Sequence, residues 1–164
     1  MTHVIHPFPP LYDQDSKILI LGSFPSVKSR EQLFFYGHPQ NRFWKLIAGI
    51  FDEAVPSTIE EKSELLHKHH IALWDVIKSC DIKGSSDSSI TNVVANDLSE
   101  ILEAADIKTI IVNGKTAEKF FNKYTKNKIN REAICMPSTS PANAAWSLEK
   151  LTDTWKEVLL APLR

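Results

Sequence analysis

Apolar residues along the chain form two alternating kinds of pattern. Short segments rich in apolar residues predict buried strands, and they are Lys17–Gly22, Ile71–Val76, Thr109–Val112 and Glu132–Met136. Longer segments with apolar residues at helical spacing predict helices, and they are Asn41–Phe51, Thr58–His69, Ala95–Ala105, Thr116–Tyr124 and Ser147–Leu160. Cys80–Asn92 fits neither pattern, and its serine-rich sequence predicts a long functional loop.

Strands that alternate with helices favour a parallel sheet with helices on both of its faces. We therefore expect an α/β fold, a three-layer α/β/α sandwich around a central four-stranded parallel sheet. The chain of 164 residues contains no internal repeat and no linker, so we expect one domain that spans residues 1–164.

The end of every predicted strand carries polar or turn-forming residues. They are Gly22-Ser23, Asp75, Asn113-Gly114 and Pro137-Ser138. Because the carboxyl ends of parallel strands meet at one edge of a sheet, we expect these residues to share a single cleft there.

The composition narrows the possible classes of protein. A formal net charge of −1 excludes a protein-wide field that would attract nucleic acid or membrane, so any anion-binding surface must be local. The two cysteines, Cys80 and Cys135, are too few for an iron–sulfur cluster or a Cys-rich zinc site, and we expect neither a metal nor another cofactor. The first ten residues have no long apolar run, so we expect no signal peptide, no membrane contact and a cytoplasmic location.

The turn Gly22–Ser26 follows the first predicted strand. It lacks the second glycine of a nucleophile elbow. It is either a plain strand-to-loop turn or a substrate-contacting loop in which Ser23 and free backbone N–H groups bind a carbonyl or an anion. Phe24 and the aromatic run Phe34–Tyr36 would either stack on a planar ring or pack in the core.

Asn41 has two interpretations. It lies just before an amphipathic helix, where asparagine is a favoured cap. Alternatively, its amide holds a water near a bond that is being broken, which is a task of orientation rather than of base catalysis. His38, in the loop before it and followed by a proline, is either structural or a phosphate contact.

Two later strand ends have polar residues with open interpretations. Asn113–Thr116 resembles the tail of a phosphate-binding P-loop, but Thr109 occupies the position of the required first glycine. Asn113 would instead suit the edge of a base, and Lys115 at the following helix start would favour an anion. The hydroxyl-rich loop Ser138–Asn143 suits phosphate oxygens, or it is a turn with a helix cap.

Three of these segments together resemble a known family. His38–Trp44 (His-Pro-Gln-Asn-Arg-Phe-Trp) closely resembles the His-Pro-x-Asn-Arg-Phe-Trp segment of the mismatch-specific uracil/thymine DNA glycosylases. Gly22–Ser26 lies in the place of their first catalytic loop, and Ser138–Asn143 resembles the Ser-Pro minor-groove loop of the uracil-DNA glycosylase superfamily. The combination looks most like the sixth family, the hypoxanthine (deoxyinosine) DNA glycosylases.

This resemblance implies a monofunctional DNA-deoxyinosine glycosylase that flips a deaminated base and hydrolyses its N-glycosidic bond without cutting the strand. It implies that Asn41 carries much of the catalysis, assisted by Ser23. It also implies that Asn113 reads the base while Phe24 or Phe35 stacks on it. The residues that would contact the DNA backbone are Arg42, Lys115, Ser138, Ser140 and Asn143.

One departure from the related families bears on the substrate. Their first loop carries Asp or Asn before its proline, and here that position is Phe24, which cannot orient water. We therefore expect inefficient uracil removal and a preference for hypoxanthine. The alternatives are a uracil- or mismatch-specific glycosylase and a non-catalytic DNA- or nucleotide-binding module. The expected partner is double-stranded or single-stranded DNA that contains a deaminated base, and we expect a monomer.

Overall fold

The computed structural model describes all residues from Met1 to Arg164. The strands in chain order are β1 (Thr2–Ile5), β2 (Ile18–Gly22), β3 (Ile71–Asp75), β4 (Ile77–Ile82), β5 (Thr91–Ala95), β6 (Thr109–Asn113) and β7 (Ile134–Met136). The α-helices in chain order are α1 (Val27–Gln32), α2 (Phe43–Ile50), α3 (Ile59–Lys68), α4 (Ser99–Ala104), α5 (Lys115–Tyr124), α6 (Lys126–Ile129) and α7 (Leu148–Leu160).

The centre of the fold is a four-stranded parallel sheet in the order β3-β2-β6-β7. Every residue of β2 and β3 is buried, as expected for strands that are covered on both faces. The predicted α/β fold with a central four-stranded parallel sheet is therefore confirmed. The chain moves from β2 to one neighbour, β3, and later continues on the other side with β6 and β7. Right-handed crossovers then place the helices on opposite faces and leave a switch point between β2 and β6.

Two of the predicted helices begin at side-chain caps. Thr58 caps α3 in a capping box with Glu61, and the Ser147 hydroxyl accepts from Lys150 N–H at the start of α7. Helices α2 and α7 pack together, with Phe43 of α2 edge-on to Trp155 of α7 at 6.5 Å between ring centroids. None of the helices combines the length and the apolar character that a bilayer crossing requires.

A second sheet is a feature that the sequence pattern did not predict. It is antiparallel, in the order β1-β4-β5, and it contains part of the segment Cys80–Asn92 that was predicted as one long loop. That prediction is wrong for residues 80–82 and 91–92, and the connection is the shorter stretch 83–90. The predicted helix Ala95–Ala105 also begins late, because Ala95 belongs to β5 and the helix starts at Ser99. β5 is largely exposed, and β4 carries a lysine, a serine and an aspartate among its apolar residues. Neither strand therefore shows the continuous apolar run of β2.

Candidate active site

A cavity of about 500 Å³ opens at the carboxyl ends of the parallel strands, at the switch point between β2 and β6. The loops after β2, β3, β6 and β7 all contribute to its walls, as the strand-end pattern predicts. The connection between β4 and β5 closes another side. The volume lies within the range of small-molecule sites.

The first loop presents Ser23 and Phe24 to the cavity. Backbone bonds hold this loop to β4, since Ile77 N–H donates to the Ser23 carbonyl at 3.1 Å. The Ser23 hydroxyl donates to Asp87 Oδ1 at 3.3 Å. Phe24 is buried and lies edge-on to His6, with the Arg30 guanidinium 5.7 Å from its ring centroid. Ser23 is therefore a polar wall residue, while the Phe24 ring is both core and cavity surface.

Asn41 combines the two interpretations that its sequence position left open. Its Oδ1 accepts from Phe43 N–H at 2.9 Å, which satisfies a donor at the start of α2. Because a backbone N–H can only donate, this bond fixes which end of the amide is oxygen. The side chain is half-buried and lines the cavity, and its Nδ2 makes no hydrogen bond within the chain. Asn41 therefore offers N–H donors to whatever occupies the cavity.

The cavity wall contains a third aromatic residue, Tyr36, beside the predicted Phe24 and Phe35. Phe35 lines the cavity but is 2% exposed, and its ring packs against Phe8 at 4.9 Å and Trp74 at 6.2 Å. Tyr36 also lines the cavity, with a left-handed φ of 52° and its ring stacked on Phe43 at 4.2 Å. In the sequence, Tyr36 was distinguished only as part of an aromatic run, yet it lines the cavity just as Phe35 does.

The Tyr36 hydroxyl is buried and makes no hydrogen bond. Burial raises the pKa of Tyr36, and the charge of Asp75 raises it further, while the nearby amide of Asn113 offsets part of this increase. An unpartnered buried hydroxyl is costly for folding. Its position in a strained backbone at the cavity wall is therefore typical of a functional site.

Asn113 lines the cavity, but both ends of its amide are engaged with Thr139. Nδ2 donates to Thr139 Oγ1 at 3.0 Å, and Oδ1 accepts from Thr139 N–H at 3.1 Å. Thr139 is fully buried, so this pair joins the end of β6 to the final loop. Gly114 permits the junction, since its φ is 98° and an added Cβ would lie 3.0 Å from Ser138 Cβ. Asn113 retains one free hydrogen and one lone pair for a ligand.

Arg42 holds the final loop. Its guanidinium donates to four backbone carbonyls of the final loop, those of Thr139 (3.3 Å), Ser140 (2.8 Å), Asn143 (3.1 Å) and Trp146. Most of its N–H groups are thereby engaged with the loop. Arg42 therefore organises the loop, and its contact with DNA stays a prediction.

The final loop brings two of its predicted residues to the cavity. Ser138 and Ser140 line it, and their hydroxyls accept from backbone N–H groups two residues further along. Asn143 does not line the cavity, because its Nδ2 donates to the Ser138 carbonyl at 3.0 Å. Lys115 is exposed at the first turn of α5, outside the cavity. The structure thus groups the two serines with Ser23, Asn41 and Asn113, and separates Asn143 and Lys115 from them.

The cavity also contains two carboxylates. Asp75 was expected in the cleft as a polar strand end but was given no role, and Asp87 was not predicted there. Asp75 ends β3, and its Oδ2 accepts from His6 Nε2 at 2.7 Å. Asp87 comes from the β4–β5 connection. Burial among the cavity walls raises the pKa of Asp87, and the Ser23 hydroxyl opposes the shift only in part. The cavity opening still exposes the carboxylate to solvent. The lining contains these carboxylates but no lysine, so no amine is poised for Schiff-base chemistry.

The connection that carries Asp87 is fixed to the first loop and α1. Val27 N–H donates to Ser85 Oγ at 2.9 Å. Arg30 bridges the two segments, since its guanidinium donates to Pro25 O at 2.8 Å and to Gly84 O at 3.1 Å. The serine-rich segment that the sequence marked as functional therefore forms a tethered wall of the cavity.

Comparison with known proteins gives a consistent result. The sequence profile of the Uracil DNA glycosylase superfamily matches residues 9–163. The Hypoxanthine DNA glycosylase of Methanosarcina barkeri is 33% identical over 152 residues, which cover 92% of this chain and 94% of that protein. The Hypoxanthine DNA glycosylase of Methanosarcina acetivorans is 34% identical over 153 residues, which cover 92% and 95%. The solution NMR structure of a candidate uracil DNA glycosylase from Methanosarcina acetivorans superposes with a TM-score of 0.80 at 32% identity, covering 96% of this chain and 97% of that one.

Proposed function

The chain belongs to the uracil-DNA glycosylase superfamily, and from that premise we propose that it is a monofunctional DNA glycosylase that removes a deaminated base, hypoxanthine above all. The observation that carries the proposal is the pair of relatives named for hypoxanthine, each matched over nearly its whole length. The cavity at the strand ends supports it, because a flipped base needs an enclosed polar site.

The chemistry follows from the groups that line the cavity. Cleavage of an N-glycosidic bond leaves a cationic, oxocarbenium-like sugar and drives electrons onto the departing base. Asn41 Nδ2 is a free donor, so it is suited to hydrogen-bond the departing base or the attacking water. Asp87 supplies negative charge, which stabilises the cationic sugar and attracts a proton from the water. We assign no strand-cutting step, because no lysine lines the cavity.

DNA contact falls to groups at the rim. Ser138 and Ser140 present a rigid loop with hydroxyl groups beside the cavity, which suits phosphate oxygens. Lys115 is an exposed cation at the start of α5, where the helix end also favours an anion. Arg42 and Asn143 support these DNA contacts indirectly, because their side chains hold the final loop in shape. The proposed partner is double-stranded or single-stranded DNA that contains a deaminated base. We propose that the protein binds it as a monomer.

The test is release of free base from DNA. We expect the wild-type protein to liberate hypoxanthine from a deoxyinosine-containing duplex, and Asn41→Ala to lower the single-turnover rate about 100-fold or more. Asn122→Ala, an exposed asparagine on α5, is the matched control and is expected to retain the wild-type rate. Binding without release by the wild-type protein, from deoxyinosine, deoxyuridine and deoxyxanthosine alike, would identify a binding module instead.

Uracil is the second candidate base, since the solved relative is named as a candidate uracil DNA glycosylase. Phe24 stands where related enzymes place a water-orienting residue, so we expect slower release of uracil than of hypoxanthine. Parallel single-turnover assays on matched oligonucleotides measure this ratio.

A further inference from the structure

The carboxylate of Asp75 is a cavity group that the mechanism above leaves unused. Its side chain is 6% exposed and lines the cavity at the end of β3. Oδ2 is bonded to His6, whereas Oδ1 makes no hydrogen bond within the chain. A carboxylate oxygen that opens onto the cavity without a donor from the chain is the kind of acceptor that an N–H group of a ligand satisfies.

Two hydrogen bonds fix where Oδ1 lies. His6 Nε2 holds the other oxygen at 2.7 Å, and Asn96 Nδ2 donates to the Asp75 carbonyl at 2.9 Å. Oδ1 lies only 2.5 Å from the position that a Cβ on Gly22 would occupy, so a residue with a side chain there would displace it. The oxygen therefore lies over the end of β2, in the middle of the row of strand ends.

His6 fixes the orientation of this carboxylate. A carboxylate oxygen accepts, so the hydrogen of this contact belongs to the His6 nitrogen at 2.7 Å. The other ring nitrogen, Nδ1, is buried without a partner beside the rings of Phe8 and Trp74, each 4.5 Å away between centroids. The imidazole therefore cannot turn over without losing its bond to Asp75. His6 is a positioning residue, and Asp75 is the residue that meets the ligand.

Deamination changes a base in a way that such an acceptor detects. In adenine and cytosine the ring nitrogen on the pairing edge offers a lone pair. In hypoxanthine and uracil the same nitrogen carries a hydrogen, because the ring has become a lactam. A flipped base is read through hydrogen bonds to this edge. A carboxylate that faces it would attract the lactam N–H and repel the lone pair of the undamaged base.

We propose that Asp75, held by His6, selects lactam bases by accepting their ring N–H, and that it thereby rejects adenine and cytosine. This inference rests on the proposed glycosylase function and names the class of base that the site takes. Sites built around such a hydrogen bond reject analogues that lack the donor more strongly than apolar pockets reject a change of size. Guanine shares the lactam N–H, so this contact separates lactam from amino-substituted rings and does not separate hypoxanthine from guanine.

The isosteric change Asp75→Asn gives a sharp test. Because His6 Nε2–H requires an acceptor, the amide oxygen would face His6 and the amide N–H₂ would face the cavity. The group at position 75 that faces the base would change from an acceptor to a donor without a change in shape. The substrates are single-stranded oligonucleotides with deoxyinosine or deoxynebularine, whose unsubstituted purine has a lone pair at the same nitrogen. Single strands remove differences in base pairing.

The quantity measured is the ratio of single-turnover release rates, deoxyinosine over deoxynebularine. Intrinsic differences in leaving group cancel when this ratio is compared between proteins. We expect Asp75→Asn to lower the ratio about 10- to 100-fold, the value of one hydrogen bond to a charged group. His6→Leu is expected to lower it as well, whereas His6→Gln keeps an N–H donor and should restore most of it. Asp81→Asn makes the same change in an exposed His–Asp pair, with His3 at 2.9 Å, and should leave the ratio unchanged.

The outcomes separate this inference from the function on which it rests. A lowered ratio in Asp75→Asn and His6→Leu, with His6→Gln near the wild type, supports it. An unchanged ratio in folded Asp75→Asn overturns it while the glycosylase function stands. If Asp75→Asn does not fold, the two His6 variants decide, and equal ratios in both overturn the inference. No release of any base by the wild-type protein would overturn the function and this inference together.

Discussion

Asn113 holds Thr139 at two points, through a bond from its amide N–H₂ to the threonine hydroxyl (3.0 Å) and a bond from the threonine N–H to its amide oxygen (3.1 Å). The two residues are 26 positions apart, at the ends of β6 and β7. This contact joins two walls of the cavity. Asn113 therefore has a structural role that does not depend on any ligand.

Asn113→Ala is therefore expected to lower stability even without DNA. The change leaves the buried Thr139 N–H and hydroxyl without partners, which costs about 2 kcal/mol in the free energy of unfolding. Urea denaturation followed by fluorescence measures the loss. Asn122→Ala, on the exposed side of α5, should cost less than about 0.5 kcal/mol. An equal effect of the two changes would contradict the structural role of Asn113.

Arg42→Lys is expected to separate loop support from DNA contact. A lysine cannot reach four carbonyls with one ammonium, so the free energy of unfolding should fall by about 3 kcal/mol. The slope of log binding constant against log salt concentration should stay unchanged, because no phosphate contact is lost. A slope reduced by about one unit would restore the phosphate role that the sequence suggested.

Lys115→Ala is expected to show the opposite pattern. Its ammonium is exposed at the start of α5 and makes no ion pair, so stability should change by less than about 0.5 kcal/mol. The salt slope of binding to deoxyinosine-containing DNA should fall by about one unit, as for the loss of one phosphate contact. A slope equal to that of the wild-type protein would remove Lys115 from the DNA interface.

Tyr36→Phe is expected to stabilise the protein by about 1 kcal/mol, because it removes a buried hydroxyl that has no partner. The stacking on Phe43 is kept, so the ring stays in place. Thermal and urea denaturation measure the gain. Tyr124→Phe, whose ring stacks on Phe120 at the surface, is the control and should change stability little. A loss of stability in Tyr36→Phe would indicate that the hydroxyl does have a partner in solution.

Asp87→Asn is expected to make the protein more stable and less active at neutral pH. Burial raises the pKa of Asp87, so the folded state prefers its protonated form. The ionised carboxylate therefore costs stability at every pH above its raised pKa. That cost disappears as the pH falls below the ordinary aspartate value of about 3.9. The variant should thus melt higher than the wild type at pH 7 and converge with it in acid.

The activity of Asp87→Asn tests the role proposed for its charge. Loss of the carboxylate should slow base release at pH 7, while DNA affinity is kept or improved. Single-turnover rates and binding constants, measured side by side, separate the two effects. Increased stability with unchanged release would show that Asp87 only shapes the wall.

The parts of the fold that were predictable are those with a strong local pattern. β2 is a continuous apolar run, and α3 and α7 begin at Thr58 and Ser147 with their capping partners in place. β1 and β4 carry no such pattern. β1 is mostly exposed, and β4 mixes buried apolar residues with polar ones. Both strands are stabilised by pairing with each other across the chain. Local propensity cannot reveal a partner that is 80 residues away.

The candidate site divides in the same way. Asn41 was recognisable because it lies in a distinctive segment and at a helix start. Arg42 lies in the same segment, but residue type alone cannot show that the final loop offers it carbonyls 97 to 104 positions further along. Asp75 was visible only as a polar strand end. Its partner His6 lies 69 residues earlier among prolines, where no periodicity marks it.

The position of His6 has a practical consequence for work on this protein. It follows β1, a four-residue strand at the edge of the smaller sheet, and a single backbone bond from His6 N–H to Lys78 O extends that pairing. Cleavage of the chain within residues 2–5 would release this strand and with it the imidazole that holds Asp75. Preparations in which this segment is intact are therefore the reference for measuring which bases the protein accepts.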